Sequence, residues 1–210
     1  MVNQPIKAST SDCVVCVDST IVGVVCKDGI IIGTEKIVVN KMMVSGTDKR
    51  AFNMTKQTGC VVNGIIPDGK AIMFRGREEA KQYEENFGIK VPGKVLAERL
   101  ANFVQMKTVY SSQRPFGSSI IISAFDHMKG PTLWMVEPAG TVFQYYGCAS
   151  GRGRQFCRNE IEKGFFREET VSDALPRVAK MLLKAQEEMR DKKQELELSV
   201  LVEQDGKGWG

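Results

Sequence analysis

The fold of this 210-residue chain is decided by the stretch Ser19-Thr20-Ile21-Val22-Gly23-Val24-Val25-Cys26-Lys27-Asp28-Gly29. In it an apolar, β-branched run leads into Lys27-Asp28-Gly29, and a second such run, Ile30 to Thr34, comes directly after. An Asp-Gly dipeptide between two apolar runs is a strong hairpin signal, because both residues tolerate the backbone of a tight reversal. The stretch therefore predicts two antiparallel strands.

The pattern on the carboxyl side of this hairpin predicts two further groups of strands, each followed by two helices. In the first long helix, apolar side chains recur at helical spacing and Gly88 supplies the stop. The predicted elements are strands Phe52–Lys56 and Gly59–Asn63, helices Asp68–Phe87 and Pro92–Tyr110, strands Ser119–Phe125, Thr132–Val136 and Val142–Cys148, helices Arg152–Lys163 and Ser172–Arg190, and a last strand Glu195–Glu203. Hairpin connections make sheets antiparallel. The predicted fold class is α/β (α+β), a four-layer αββα sandwich of two antiparallel sheets between helices.

Composition bounds the classes of protein that this chain can represent. Apolar residues make up 42% and charged residues 26%, which is ordinary for one globular domain. The net charge of +4 is spread thinly, so no basic surface for nucleic acid is predicted. The chain contains no apolar run of the roughly eighteen residues that a membrane span needs. We therefore expect neither nucleic acid nor membrane as a partner.

The amino end does not fit a secretory signal, because Asp12 and Asp18 interrupt its apolar part. Six cysteines without such a signal indicate reduced thiols in a cytosolic compartment. Cys13 and Cys16 have the spacing of half a zinc site or of a redox pair. The chain has no second CxxC pair and a single histidine, His127, so two ordinary thiols are the favoured interpretation.

A glycine- and arginine-rich stretch, Gly151-Arg152-Gly153-Arg154, opens a predicted helix directly after a strand. Free amides at a helix start bind anions, and the arginines would assist. The stretch lacks the further glycine of a dinucleotide-binding motif and the Lys-Ser/Thr of a phosphate loop. A close-packed turn is therefore favoured over an anion site.

The opening strands, with Gly33-Thr34-Glu35 after the hairpin, resemble the start of proteasome subunits and related N-terminal nucleophile hydrolases. In the catalytic members a freed amino-terminal threonine attacks, with its own amine as base. The resemblance places Ser19 at the nucleophile, Glu35 at the family's aspartate and Arg50 at its lysine. All three differ from the active pattern, and an arginine does not lose its proton near neutral pH. Asp18 also stands where active subunits have the glycine of the cleavage site.

Other motifs resemble the noncatalytic alpha subunits of the same particle. The most recognisable is Arg114-Pro115-Phe116-Gly117 followed by the run from Ser119 to Asp126. Two further segments look like the alpha-type turns, Asn63-Gly64-Ile65-Ile66-Pro67-Asp68 and Glu137-Pro138-Ala139-Gly140-Thr141. The segments 49–54 and 191–199 look closest to the type at the seventh position of the eukaryotic ring. Asp191 matches a supporting aspartate of the active enzymes, but Gln194 stands where they have a serine.

The resemblance divides the chain into a single alpha-type domain, 19–210, and a divergent or truncated segment, 1–18. The family's opening Tyr-Asp-Arg element and Ser-Pro-Asp-Gly turn, which help to form the gate of the chamber, are absent from 1–18. The last helix and acidic tail of the family are likewise not found before Gly210.

The resemblance implies a noncatalytic structural subunit of the 20S core in ubiquitin-dependent protein degradation, located in cytoplasm and nucleus. Its partners would be ring neighbours, beta-ring subunits and activators, and it would need no cofactor and no metal. Lys49 and Arg50 would lie at the rim of a pocket between alpha subunits and hold an activator's terminal carboxylate; alternatively, the pair only caps a hairpin beside Asp48 and stays solvated. Two other classes stay open, an active peptidase with Ser19 freed by processing and an unrelated binding module.

Overall fold

The structure, a computed structural model, describes residues 19–37, 42–44, 46–126, 129–185 and 194–202. In these ranges the chain forms nine strands, four α-helices and a short 3₁₀ helix. The strands are β1 Thr20–Val25, β2 Gly29–Ile37, β3 Ala51–Thr55, β4 Thr58–Gly64, β5 Ser118–Asp126, β6 Gly130–Val136, β7 Val142–Tyr145, β8 Gly147–Gly151 and β9 Gln194–Val202. The helices are α1 Ile66–Phe87, α2 Gly93–Val109, α3 Arg154–Lys163, the 3₁₀ helix Phe166–Glu168 and α4 Val171–Ala185.

The strands form two antiparallel sheets, as the sequence predicts. One sheet has the order β8-β1-β2-β9 and the other the order β3-β4-β5-β6-β7. The predicted hairpin is β1–β2, in register from Ile21 opposite Thr34 to Val25 opposite Ile30. The first and last described strands thus belong to the same sheet, and β1 lies in its interior.

Three apolar layers hold the sandwich together, and side chains that alternate along β1 supply two of them. Val22 and Val24 point toward α3 and α4, whereas Ile21 and Val25 point toward the second sheet. A third layer lies between the second sheet and the helices α1 and α2. Since successive side chains of a strand face opposite ways, a strand buried on both faces reads as a continuous apolar run. The expected four-layer αββα sandwich is therefore confirmed.

The prediction of a single strand over Val142–Cys148 is wrong, because this segment belongs to two strands, β7 and β8. The chain leaves the five-stranded sheet after Tyr145 and enters the four-stranded sheet at Gly147, where the Val25 amide donates to the Tyr146 carbonyl at 2.9 Å. A side chain on Gly147 would meet the Ile161 Cγ2 atom at 2.5 Å, so glycine permits the close approach of β8 to α3. Apolar periodicity continues across this crossing, and so the pattern alone reads as one strand.

The other predicted boundaries agree with the structure to within three residues where both ends are described, and the largest difference is at the end of β2, which reaches Ile37 rather than Thr34. The predicted helix Ser172–Arg190 corresponds to α4, whose described part ends at Ala185. The 3₁₀ helix between α3 and α4 was not predicted. No helix in the described part of the chain combines the length and the apolar character needed to cross a membrane.

Candidate functional site

Ser19, the residue at the family's nucleophile position, lies immediately before β1 and is only 1% exposed. Its hydroxyl donates a hydrogen bond to the Asn63 Oδ1 atom at 2.9 Å and accepts one from the Arg50 guanidinium. Asn63 belongs to β4, so the contact joins the two sheets. The hydroxyl is buried and bonded to two buried side chains, so it is not accessible to a substrate carbonyl in this arrangement.

Arg50 lies one residue before β3 and is 9% exposed. Besides Ser19, its guanidinium faces Asp48, with the Nη2 atom 3.5 Å from the carboxylate oxygen. Its backbone amide donates to Glu197 Oε2 at 3.0 Å, and the Lys36 ammonium lies 2.7 Å from the same oxygen. Arg50 is therefore anchored to β9 by its backbone and to the start of β1 by its side chain.

Glu35, at the family's aspartate position on β2, is also buried. Its Oε1 atom accepts a hydrogen bond from the Thr20 hydroxyl at 2.9 Å, and that hydroxyl accepts one from the Gly153 amide at 3.0 Å. Burial raises the pKa of the Glu35 carboxyl, although the Thr20 hydrogen bonds and the Arg50 charge act in the opposite direction. Its Oε2 atom has no hydrogen-bond partner in the described residues.

The structure thus brings Ser19, Glu35 and Arg50 together, as the resemblance implies, but in an arrangement that does not suit catalysis. Nucleophilic attack by a hydroxyl needs a group that accepts its proton. The guanidinium can only donate hydrogen bonds, so it does not take the proton of the Ser19 hydroxyl. The buried hydrogen bonds of the cluster connect β1, β2 and the segment that leads into β3.

The Gly151–Arg154 stretch packs against this same cluster, and its Gly153 amide donates to Thr20 rather than to an anion. Gly151 has φ +104°, a conformation that glycine adopts without strain, and a side chain there would meet the Ser19 carbonyl oxygen at 2.1 Å. The Gly153 amide is occupied by Thr20. The favoured interpretation as a close-packed turn agrees with these contacts.

Lys49, the other predicted activator contact, differs from Arg50 in its surroundings. Its side chain is exposed, while Asp48 beside it is half-buried. The interpretation in which both residues stay solvated therefore does not hold for Arg50. Lys49, in contrast to Arg50, presents its charge to solvent.

The Arg114-Pro115-Phe116-Gly117 motif joins the start of β5 to the start of α1. The Arg114 guanidinium donates two hydrogen bonds of 2.7 Å to the two carboxylate oxygens of Asp68, and the Gly117 amide donates a third, at 2.9 Å. These contacts lower the pKa of Asp68. Phe116 packs beside Phe103 of α2, with the ring centroids 5.6 Å apart. The motif is therefore structural in this chain.

Several predicted or considered residues lie outside the described part of the chain, namely Cys13, Cys16, Asp18, His127 and Asp191. Among the described residues, no group of three His, Cys, Asp or Glu side chains is arranged to hold a metal ion. Cys26, Cys60, Cys148 and Cys157 are buried as free thiols, and burial raises the pKa of Cys60 to about 12. Such thiols carry little thiolate near neutral pH.

Three partners of the cluster were missed by the sequence analysis: Thr20, Asn63 and Glu197. Thr20 and Asn63 had been noted only as members of a strand and a turn. Glu197 lies 147 positions from Arg50, and no local pattern relates two residues so far apart.

Comparisons with known proteins agree with the motifs. A family model described as Proteasome subunit matches residues 17–201. "Proteasome subunit alpha type-3" of Arabidopsis thaliana is 40% identical over 185 residues, which cover 88% of this chain and 74% of that protein. "Probable proteasome subunit alpha type-7" of Schizosaccharomyces pombe is 40% identical over 189 residues, covering 90% of this chain and 74% of that protein. The type-7 name agrees with the expected seventh ring position.

Proposed function

Because the chain belongs to the proteasome subunit family, we propose that it is a noncatalytic alpha-type subunit of the 20S core ring. The observation that carries the noncatalytic part is the hydrogen bond from the Arg50 guanidinium to the buried Ser19 hydroxyl. Arg50 is not equivalent to the lysine that the catalytic members have at this position, since a lysine can exchange a proton and an arginine cannot. The role that remains is to build the particle and to shape its entry face.

The alternative function, an active peptidase with Ser19 freed by processing, has less support. It needs an accessible hydroxyl, whereas the Ser19 hydroxyl is buried and bonded to Asn63 and Arg50. Glu35 is not bonded to Ser19 either: its Oε1 atom accepts from Thr20, and its Oε2 atom has no hydrogen-bond partner among the described residues.

Assembly with other proteasome subunits requires apolar contact surface. From the sequence alone, the predicted helices Asp68–Phe87 and Pro92–Tyr110 are candidates for two different contact faces, with charges and Met73, Phe74 and Met106 on their exposed sides. The two helices instead lie side by side on the same sheet and form a single face. The prediction that Met73 is exposed is wrong, because this side chain is buried in the core against that sheet. Phe74 and Met106 are exposed, as are further residues of that face, Phe87, Ile89, Val109 and Tyr110. A face that mixes such side chains with charges suits a permanent contact, and we assign it to another subunit of the particle, with the beta ring as the partner.

Docking of activators at the entry face is supported by the position of Lys49. A chain-terminal carboxylate carries a full negative charge, which an ammonium or guanidinium binds by charge-assisted hydrogen bonds. Lys49 is exposed and can reach such a group, while Arg50 has its guanidinium on Ser19 and Asp48. The proposed site therefore consists of Lys49 as the outward contact and Arg50 beside it, in a pocket completed by an adjacent alpha subunit.

The proposed setting is ubiquitin-dependent protein degradation in the cytoplasm and nucleus. Co-expression with the other alpha subunits, followed by native mass measurement, tests the proposal. We expect a closed seven-membered ring that contains one copy of this chain and binds a ring of beta subunits. A chain that remains monomeric at high concentration, or that hydrolyses a fluorogenic peptide, contradicts the proposal.

A further inference from the structure

A cavity of about 480 Å³ lies where β8 and β1 meet the connection from α3 to α4, and we call it the aromatic hollow. Its lining residues include Val24, Tyr146, Ile161, Phe165 and Arg167. The Tyr146 side chain is 62% exposed and the Phe165 side chain 78%. The volume lies within the range of about 300–1,000 Å³ found for binding pockets. The hollow is therefore large enough to receive an aromatic side chain.

Arg167 supplies a cation to the hollow. Its side chain is exposed, and its guanidinium lies 3.8 Å from the centre of the Tyr146 ring. Among the residues that the structure describes, no carboxylate forms an ion pair with it. A guanidinium that stacks on one ring retains its second face for another aromatic ring, and its N–H groups for a carboxylate. The hollow therefore suits an aromatic residue that has carboxylates near it in sequence.

The strand β9 ends at the same end of the four-stranded sheet as the hollow. Leu201 of β9 lies opposite Ile30 of β2, and Ile30 lies opposite Val25 of β1. The Val25 amide in turn donates to the carbonyl of Tyr146, at the rim of the hollow. Since neighbouring strands lie about 4.8 Å apart, the end of β9 is about 14 Å from the hollow across the sheet.

The sequence after Val202 is Glu203-Gln204-Asp205-Gly206-Lys207-Gly208-Trp209-Gly210, which lies outside the described part of the chain and which we call the 203–210 segment. Trp209 comes seven residues after Val202, and an extended chain spans about 3.3 Å or slightly more per residue, or about 23 Å over this length. That reach exceeds the distance to the hollow. The segment also carries two carboxylates, Glu203 and Asp205, and tryptophan is the side chain that binds a cation best through its ring.

The position of the hollow selects this segment among those that adjoin the sheet outside the described residues. Residues 1–18 precede the start of β1, which lies at the other end of the sheet. Residues 38–41 and 186–193 adjoin that same distant end, where β2 stops and β9 starts. Only the 203–210 segment follows a strand that stops beside the hollow.

We propose that the aromatic hollow binds the 203–210 segment of the same chain, with the Trp209 indole against the Phe165 ring and the Arg167 guanidinium. The bound segment covers aromatic surface that is otherwise exposed on this edge of the sandwich. A neighbouring molecule then meets the segment rather than the hollow. The inference goes beyond the proposed function and does not depend on it, since the contact forms within one chain.

Tryptophan fluorescence of the full chain tests the inference. The sequence has two tryptophans, so Trp134→Phe leaves Trp209 as the single emitter. We expect acrylamide to quench Trp209 several-fold less in the folded chain than in urea. Addition of Phe165→Asp should restore quenching to the level in urea, whereas Phe87→Asp, at an exposed aromatic residue of α1, should leave it unchanged. Equal quenching in the folded and unfolded chains, or no response to Phe165→Asp, overturns the inference.

A second measurement keeps both tryptophans and so does not depend on the folding of the Trp134→Phe variant. A photo-crosslinking amino acid replaces Phe165 in the full chain, and the same substitution at Phe87 is the matched control. We expect mass spectrometry to find a crosslink within one chain from position 165 to the 203–210 segment, and none to that segment from position 87. Arg167→Ala should lower the yield several-fold. Crosslinks from position 165 only to a second copy, or only to another subunit after co-expression, overturn the inference.

Discussion

The Arg50 guanidinium donates a hydrogen bond to the Ser19 hydroxyl, and both side chains are buried. The resemblance places the two residues at positions that the family's active members use for chemistry, and in this chain one is bonded to the other. The same pair therefore fits the proposed noncatalytic role, and it accounts for two of the polar residues that are buried between the sheets. A buried polar group persists where its partner is also buried, because the loss of either one leaves the other without hydrogen bonds.

Replacement of Ser19 by alanine tests this structural role. The variant leaves the Arg50 guanidinium and Asn63 each without one buried hydrogen bond, so we expect a loss of about 1–3 kcal/mol in the free energy of unfolding. Urea denaturation measures it, with Thr47→Ala, on the exposed loop, as control. We expect no hydrolysis of fluorogenic peptides before or after the change. Turnover in the wild type that disappears with Ser19 would show that the hydroxyl is catalytic.

Substitutions at Lys49 and Arg50 are expected to have different effects. Lys49→Ala removes an exposed charge and should change stability by no more than about 0.5 kcal/mol. On assembled particles at low salt it should weaken binding of activator tails by about 2 kcal/mol, the lower end of the range for a lost charge contact.

Arg50→Ala should lower the free energy of unfolding by about 1–3 kcal/mol, because it leaves the Ser19 hydroxyl without its donor. Comparison of the two variants in the binding and denaturation assays separates a ligand contact from a framework residue. Equal binding by wild type and Lys49→Ala would exclude the carboxylate site.

Glu35 should make the protein less stable as the pH rises. Burial places the pKa of its carboxyl above the unfolded value of 4.5, so the folded state holds this proton more tightly. The resulting stabilisation is complete below the unfolded pKa and is lost as the pH passes the folded pKa. We expect Glu35→Gln to remove this downward component from the pH dependence of the unfolding free energy. An unchanged pH profile, with the variant folded by circular dichroism, would contradict the assignment.

Asp68 should act in the opposite direction. Its pKa is lowered from 3.8, mainly by the Arg114 hydrogen bonds, so its stabilisation is present above the unfolded pKa and lost as the pH falls through the folded pKa. Asp68→Asn should therefore destabilise the protein at neutral pH and have little effect in strong acid. Denaturation curves at the two pH values check this, and Asp173→Asn, at the exposed start of α4, provides a control. A loss of equal size at both pH values would point to packing rather than charge.

The sequence was informative where structure depends on neighbours along the chain. The Asp28-Gly29 turn and the stop at Gly88 are local signals, and both were placed correctly. The crossing at Tyr146 was not predictable, because a strand that changes sheets keeps its apolar pattern. At the site, the resemblance related Ser19, Glu35 and Arg50, whereas the bond from Arg50 to Glu197 depends on the tertiary arrangement alone.

The interior position of β1 bears on how the protein is made. Its two partners are β2, which comes next, and β8, which begins about 120 residues later. The second partner of β2 is β9, the last described strand of the chain. The five-stranded sheet, in contrast, is built from one uninterrupted stretch of chain, from Ala51 to Tyr145. During synthesis on the ribosome this sheet can assemble first, while the apolar β1–β2 hairpin has both edges open. The nascent chain is therefore most prone to aggregation in the interval before β8 and β9 are synthesised. Chaperone binding to the β1–β2 hairpin would protect the chain most in that interval.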